Sequence, residues 1–363
     1  MNKTATALVS IALALALAAA AAAQINEEQT QAPEIGAAAW INSPPLTLAG
    51  LRGKVVLIDF WDYTCINCIR TLPYLRLWHH LYAPLGLVII GVHTPEFTFA
   101  KSPQRVAAAV KRLGLEYPVA MDNDRRIWRA FHNEGWPCEY LIDKDGRLEY
   151  SHCGEGDYAA FERLIQQLLK QADPRLDFSA ARFAPRPDLS RSGAMCREPT
   201  PEIYLGFLRA DALAGSESYQ QLAANTYRPV AGLALDRFDL LGQWFAMPEN
   251  IKNGDASAGG YDRLRLHYRA KSVYLVGGTD DGSAIAVVVT QDGKPVGANS
   301  RGVDLKTQAG GQTVLPITQK RIYYVLDNHS FGEHVLALEP VKRGVSFYSF
   351  TFGGSCEPPF DHR

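Results

Sequence analysis

The sequence predicts an α/β domain with a mixed sheet and helices on both faces, followed by an all-β sandwich or jelly-roll module. Three observations carry that prediction. Apolar, β-branched runs at 54–62 and 87–92 alternate with a helical pattern at about 68–82, as in a layered α/β unit. From 263 onward, short β-rich runs recur between turn residues with no helical period. A chain of 363 residues also exceeds what one compact core holds, so two domains are expected.

Lys3 precedes an alanine-rich apolar run, with small residues at Ala21 and Ala23 before Gln24. This is the pattern of a signal peptide over 1–23, so the mature chain is expected to be periplasmic or secreted. A retained membrane anchor is the alternative. Residues 24–45 are polar, end in Pro44-Pro45, and read as an extended lead-in.

The α/β domain spans 46–172. Leu51-Arg52-Gly53-Lys54 turns into the strand 54–62, and the next helix carries Leu72, Leu75, Trp78 (or Leu77) and Leu81 on one face, with Pro73 expected to kink it. Gly86 leads into 87–92, an unbroken apolar run typical of a parallel strand covered on both sides. A helix over 103–113 ends at Gly114, and 116–121 suits a short strand. Asp122-Asn123-Asp124 offers N-caps for a helix through Phe131. Gly135-Trp136-Pro137 precedes a hairpin, 139–142 and 147–151 around Asp143-Lys144-Asp145-Gly146, and a helix over 158–170 closes the unit.

Prolines 174, 185, 187, 199 and 201 mark 173–200 as a linker. The second module, 201–356, opens with an irregular or helical part at 203–225. Strands are expected at 263–268, 272–276, 284–290, 313–316, 321–326, 334–338 and 345–352.

The chemistry centres on Cys65-Ile66-Asn67-Cys68, placed where the first strand meets its helix. A helix start presents unpaired N–H groups and the positive end of the macrodipole, so a thiol there is expected to ionise early. Cys65 is then the nucleophile, and Cys68, one turn on, attacks the mixed disulfide that Cys65 forms. A zinc site with His79 and His80 is the competing reading, although the second close ligand pair usual for zinc is missing. A purely structural bridge over so short a loop gains little chain entropy. No metal cluster or cofactor motif appears, and a net charge of −1 with no arginine-rich tract gives no support for nucleic-acid binding.

Asp59-Phe60-Trp61, the CxxC, Pro73 and Trp136-Pro137 ahead of a hairpin resemble the thioredoxin fold, in its TlpA/peroxiredoxin-type branch. Tyr63-Thr64 before Cys65, Gly91-Val92-His93-Thr94-Pro95-Glu96-Phe97 and the run from Tyr117 to Asp124 resemble the soluble part of DipZ-type proteins. Thr200-Pro201-Glu202-Ile203-Tyr204-Leu205-Gly206 and Phe350-Thr351-Phe352-Gly353 resemble the C-terminal module of that family, which is similar to carbohydrate-binding modules. The resemblance implies a redox-active Cys65–Cys68 disulfide, Pro137 as the cis-proline beside it, and Asp59 as the buried acid that takes the Cys68 proton. Backbone at 136–138 would pair with a substrate strand, and Trp61, Trp136 and Cys138 are candidates for the substrate-facing surface or for plain core. Electrons would come from a separate membrane partner, and the clients would be exported proteins with thiols or disulfides. Ile66-Asn67 brings no positive charge to the Cys65 thiolate, which predicts a reducing couple.

Folding the hairpin about Asp145-Gly146 brings Cys138 and Cys153 opposite each other, either as a second disulfide able to exchange with Cys65 or as two thiols. Cys196 and Cys356 bracket the second module, where a staple is expected. Two other function classes compete. A thiol peroxidase would carry Thr three residues before its cysteine, where this chain has Asp62. A carbohydrate- or partner-binding protein would use tyrosines 261, 268, 274, 323, 324 and 348 as platforms, unless these fill a core.

Overall fold

A computed structural model describes residues 31–179, 197–215, 219–254 and 262–355. The expected leader, Cys196, Tyr261, Cys356 and most of the 173–200 linker lie outside those residues. The described residues divide into two compact units, the second made of Phe97–Phe99 and the described residues from Arg197 onward.

The first unit runs β1 (Ala39–Ile41), β2 (Val55–Trp61), α1 (Ile66–Tyr82), β3 (Leu87–His93), α2 (Pro103–Arg112), β4 (Val119–Met121), α3 (Arg126–Ala130), β5 (Cys138–Ile142), β6 (Leu148–Cys153) and α4 (Tyr158–Ala172). Its sheet has the order β1-β4-β3-β2-β5-β6. Strands β2, β3 and β4 are parallel, while β1, β5 and β6 pair antiparallel with their neighbours. All seven residues of central β2 are buried, as the unbroken apolar run requires of a strand covered on both faces.

Local detail departs from expectation where short-range signals compete. The part of the lead-in that is described belongs to the domain: β1 pairs with β4, and Ala32 and Ile35 are buried. On α1 the inward face is Ile69, Leu72, Leu75, Trp78 and Tyr82, while Leu81 is exposed. The helix continues through Pro73. Asn123 and Asp124 do not cap α3. Asp122 does, its carboxylate accepting the N–H groups of Ile127 and Trp128 at 3.0 and 2.8 Å.

Cys138 and Cys153 are register partners in the β5–β6 hairpin and are joined by a disulfide. A bridge closing a loop of 15 residues removes denatured-state entropy worth ~3 kcal/mol. Cys153→Ser is therefore expected to lower the unfolding free energy of the first unit by about 2–3 kcal/mol in denaturant titration. A loss under about 0.5 kcal/mol would show that the bridge does not constrain the hairpin.

In the second unit the described strands form one antiparallel network of eleven. The expected pieces 263–268 and 272–276 are a single strand, Arg263–Thr279, and 321–326 with 334–338 are one strand, Arg321–Pro340. Register shifts at Ala270/Ser272 interrupt the alternation and made each look like two. Arg237–Ala246, not foreseen, is a further strand, and 203–225 contributes short strands and no helix. Tyr268, Tyr274, Tyr323, Tyr324 and Tyr348 are all buried, so they are not the sugar platforms considered above.

Candidate active site

The apolar run of β2 ends at Trp61 and gives way to Asp62-Tyr63-Thr64, whose polar atoms turn the chain into α1. The Asp62 carboxylate accepts the N–H and hydroxyl of Thr64 at 2.8 and 2.9 Å and the N–H of Glu96 at 2.6 Å. Cys65 is the N-cap of α1, with extended backbone angles, and its Sγ accepts the Cys68 N–H at 3.2 Å. Cys65 is partly exposed and Cys68 fully buried, and both are thiols. One sulfur thus meets solvent while the second waits a turn behind it.

The electrostatics differ from what a helix N-terminus alone predicts. The amide and thiol of Cys68 favour the Cys65 thiolate, but burial and the charges of Glu96 and Asp62 outweigh them and push the thiol up. Burial pushes Cys68 up much further. Burial alone would also raise Asp62, yet His93, with Nε2 3.7 Å away, and the donors on Glu96 and Thr64 hold its carboxyl below the usual range. Asp62 therefore stays anionic beside Cys65.

Asp59 is fully buried, both of its oxygens lack partners among the described residues, and burial lifts its carboxyl to about 8. Its charge acts on Cys68. A buried carboxyl lifted to about 8 is a stronger base than an ordinary carboxylate and so a better acceptor for the Cys68 proton.

The Trp136–Pro137 peptide is cis. The carbonyl of Pro137 accepts the Gly154 N–H at 2.8 Å within the hairpin. Trp61 has no exposed surface and serves as core, not as a contact face. Cys138 is equally enclosed. It opposes Phe60 in the cluster with Trp128, Phe131 and Tyr140, on the sheet face opposite that of Asp59, and only Cys153 of the bridge is exposed. That placement turns the bridge away from Cys65 and removes the basis for direct exchange. Trp136 is half-buried, packs on Trp128 at 4.4 Å between centroids, and donates from Nε1 to the Thr94 carbonyl at 3.1 Å. His79 and His80 lie in the last turn of α1, ~20 Å along the helix from Cys65, too far to share a metal with it.

Two buried groups and one half-buried group escaped sequence reasoning. Glu139 is 4% exposed beside Asp59, and His93 is fully buried against Tyr63 and Trp61. Arg70 forms a two-pronged ion pair with Glu155. The available signal for Glu139 was a lone acid at the head of an apolar strand.

Comparison with known proteins gives two family matches: AhpC/TSA family over residues 29–151 and "Thioredoxin like C-terminal domain" over 200–353. Protein DipZ of Mycobacterium tuberculosis is 37% identical over 328 residues, which are 89% of this chain and 43% of that protein. The chain thus spans less than half the length of that relative. Thiol-disulfide oxidoreductase ResA of Bacillus cereus is 30% identical over 123 residues, 34% of this chain and 68% of ResA. The crystal structure of a thioredoxin-like superfamily protein aligns with a TM-score of 0.37 at 30% identity, covering 38% of this chain and 96% of that one.

Proposed function

Because the chain belongs to the thioredoxin-like thiol–disulfide oxidoreductases, we propose that it reduces or exchanges disulfides of other exported proteins through Cys65 and Cys68. The observation that carries this reading is the pairing of a partly exposed N-cap sulfur with a buried sulfur one turn behind, above an unpartnered carboxyl. Cys65 thiolate attacks a client disulfide and forms a mixed disulfide. Cys68 then gives its proton to ionised Asp59 and attacks Cys65 Sγ, which releases the client thiolate. The leader pattern at 1–23 supports export, and electrons would arrive from a separate membrane donor.

Cys68→Ser is expected to hold clients as mixed disulfides on Cys65, visible as adducts that dithiothreitol releases. A Cys68→Ser chain that accumulates no adduct, together with a wild-type chain that leaves insulin unreduced, would overturn the proposal.

The raised Cys65 thiol also supports a reducing direction. A thiolate stabilised at neutral pH stabilises the reduced form and makes an oxidant, and a Cys65 thiol pushed up by burial has no such stabilisation, which favours the dithiol as an electron donor. The midpoint potential is expected near the reducing end of this class, about −270 mV, and far from the about −120 mV of a strong oxidant. Equilibration with glutathione buffers measures it, and a value near the oxidising end would reverse the assignment.

A further inference from the structure

Asp59 on β2 and Glu139 on β5 are directly opposed in register, and Glu139 is in turn opposed by His152 on β6. Opposed residues project from the same sheet face with Cβ atoms ~5 Å apart, so three titratable side chains stand in one row across three neighbouring strands. The row starts at fully buried Asp59, passes Glu139 at 4% exposure, and ends at partly exposed His152 on the edge strand. On the other side of Asp59 it is closed by Gly91 of β3, where even a Cβ would lie 2.9 Å from Trp61 Nε1. Both oxygens of Asp59, Oε2 of Glu139 and Nε2 of His152 are buried without a hydrogen-bond partner among the described residues. Buried polar atoms are paired as a rule, and three consecutive exceptions in one row call for a reason.

We propose that Asp59, Glu139 and His152 form a proton path across the sheet, which carries the proton released by Cys68 from the buried carboxyl to solvent at the β6 edge. The inference rests on the thiol–disulfide reading above. It assigns Glu139 and His152 as positioning and relay residues, since neither touches the reacting sulfurs.

Two carboxyls side by side in a dry site cannot both ionise, so the pair holds a proton that either member can carry. Burial and the charge of Asp59 push Glu139 well up, as burial does Asp59. The other groups that face the pair are Cys68 from α1, Tyr117 ahead of β4, Tyr150 on β6, and Glu155 and Tyr158 around the start of α4. Glu155 is neutralised by Arg70 at 2.7 Å, and burial pushes the three phenols up, so they stay neutral. In the resolving step Cys68 passes its proton to Asp59 and its electron pair to Cys65 Sγ. The Cys65–client bond breaks and the client sulfur leaves as a thiolate. The client disulfide has gained two electrons, the Cys65–Cys68 pair has lost them, and the proton on Asp59 moves to Glu139, His152 and water.

The test uses the full chain. Carbon-13 titration of the side-chain carboxyls is expected to show two linked inflections on both Asp59 and Glu139. Single-turnover oxidation by insulin, followed in H2O and D2O, is expected to slow about tenfold in Glu139→Gln and His152→Gln, with a displaced pH midpoint and a larger solvent isotope effect. Carboxyls that titrate independently in the wild-type chain would overturn the path, as would variants whose rate, midpoint and isotope effect match wild type. Absence of insulin adducts on Cys68→Ser would instead count against the thiol–disulfide reading, and the carboxyl titration would still decide whether the pair shares a proton.

Discussion

Asp59→Asn is expected to stabilise the protein at pH 8 while slowing thiol–disulfide exchange through Cys65 and Cys68. The sign follows from linkage. In the unfolded chain the carboxyl loses its proton near 3.8, whereas the folded chain keeps it to about 8. Between those values folding takes up a proton, so Asp59 makes stability fall as pH climbs from about 4 to about 8. The gap of about four units, at 1.36 kcal/mol each, sets an upper bound of ~5 kcal/mol. Sharing with Glu139 and the cost of burying an amide reduce the expected gain to ~2–3 kcal/mol at pH 8, with almost none at pH 4. The same substitution removes the proton acceptor for Cys68, so attack on the mixed disulfide should slow by about 100-fold. Denaturant unfolding at the two pH values and single-turnover kinetics measure both effects. A stability change equal at pH 4 and pH 8 would show that the folded chain does not hold the Asp59 proton above its unfolded value.

This opposition of stability and activity explains why an acid stands in a strand that is otherwise Val, Leu, Ile, Phe and Trp. It also shows how far the sequence could be read. Cys65 and Cys68 were legible by their spacing at a strand–helix junction, and Asp59 through the family resemblance, since its residue type alone reads as readily as a strand-end residue. Glu139 is likewise a lone acid, in β5, but its meaning depends on register: only pairing of β2 with β5 sets it against Asp59. Asp62 reaches Glu96 across 34 residues and His93 across 31, and such contacts leave no local period. The charge balance around Cys65 was illegible for this reason. The helix terminus is a local feature, whereas the two acids that oppose it come from another loop and the preceding turn. In the second unit, the apolar and alternating stretches were visible as strands, while continuity through Asp327-Asn328-His329-Ser330 was not, because a polar run inside a 20-residue strand reads as a turn.

The second large effect is expected at a residue with no side chain. Gly91 stands beside Asp59 in the parallel β2–β3 register. A Cβ there would lie 2.9 Å from Trp61 Nε1, closer than real Cβ contacts allow, and 3.1 Å from a ring carbon of Tyr117, tighter than most of them. Neither ring can retreat easily, since Trp61 and Tyr117 are themselves fully buried. Gly91→Ala is expected to cost ~1–3 kcal/mol by overpacking, and Gly91→Val more. The consequence reaches the chemistry, because these rings help to keep water from Asp59. If the Trp61 indole is displaced, the carboxyl is rehydrated and should titrate below the value of about 8 that burial imposes. The pH midpoint of the resolving step would then fall together with stability. Thermal unfolding and the pH–rate profile of Gly91→Ala test the two parts separately. A destabilised variant whose midpoint stays at the wild-type value would mean that exclusion of water by Trp61 and Tyr117 is not what raises Asp59.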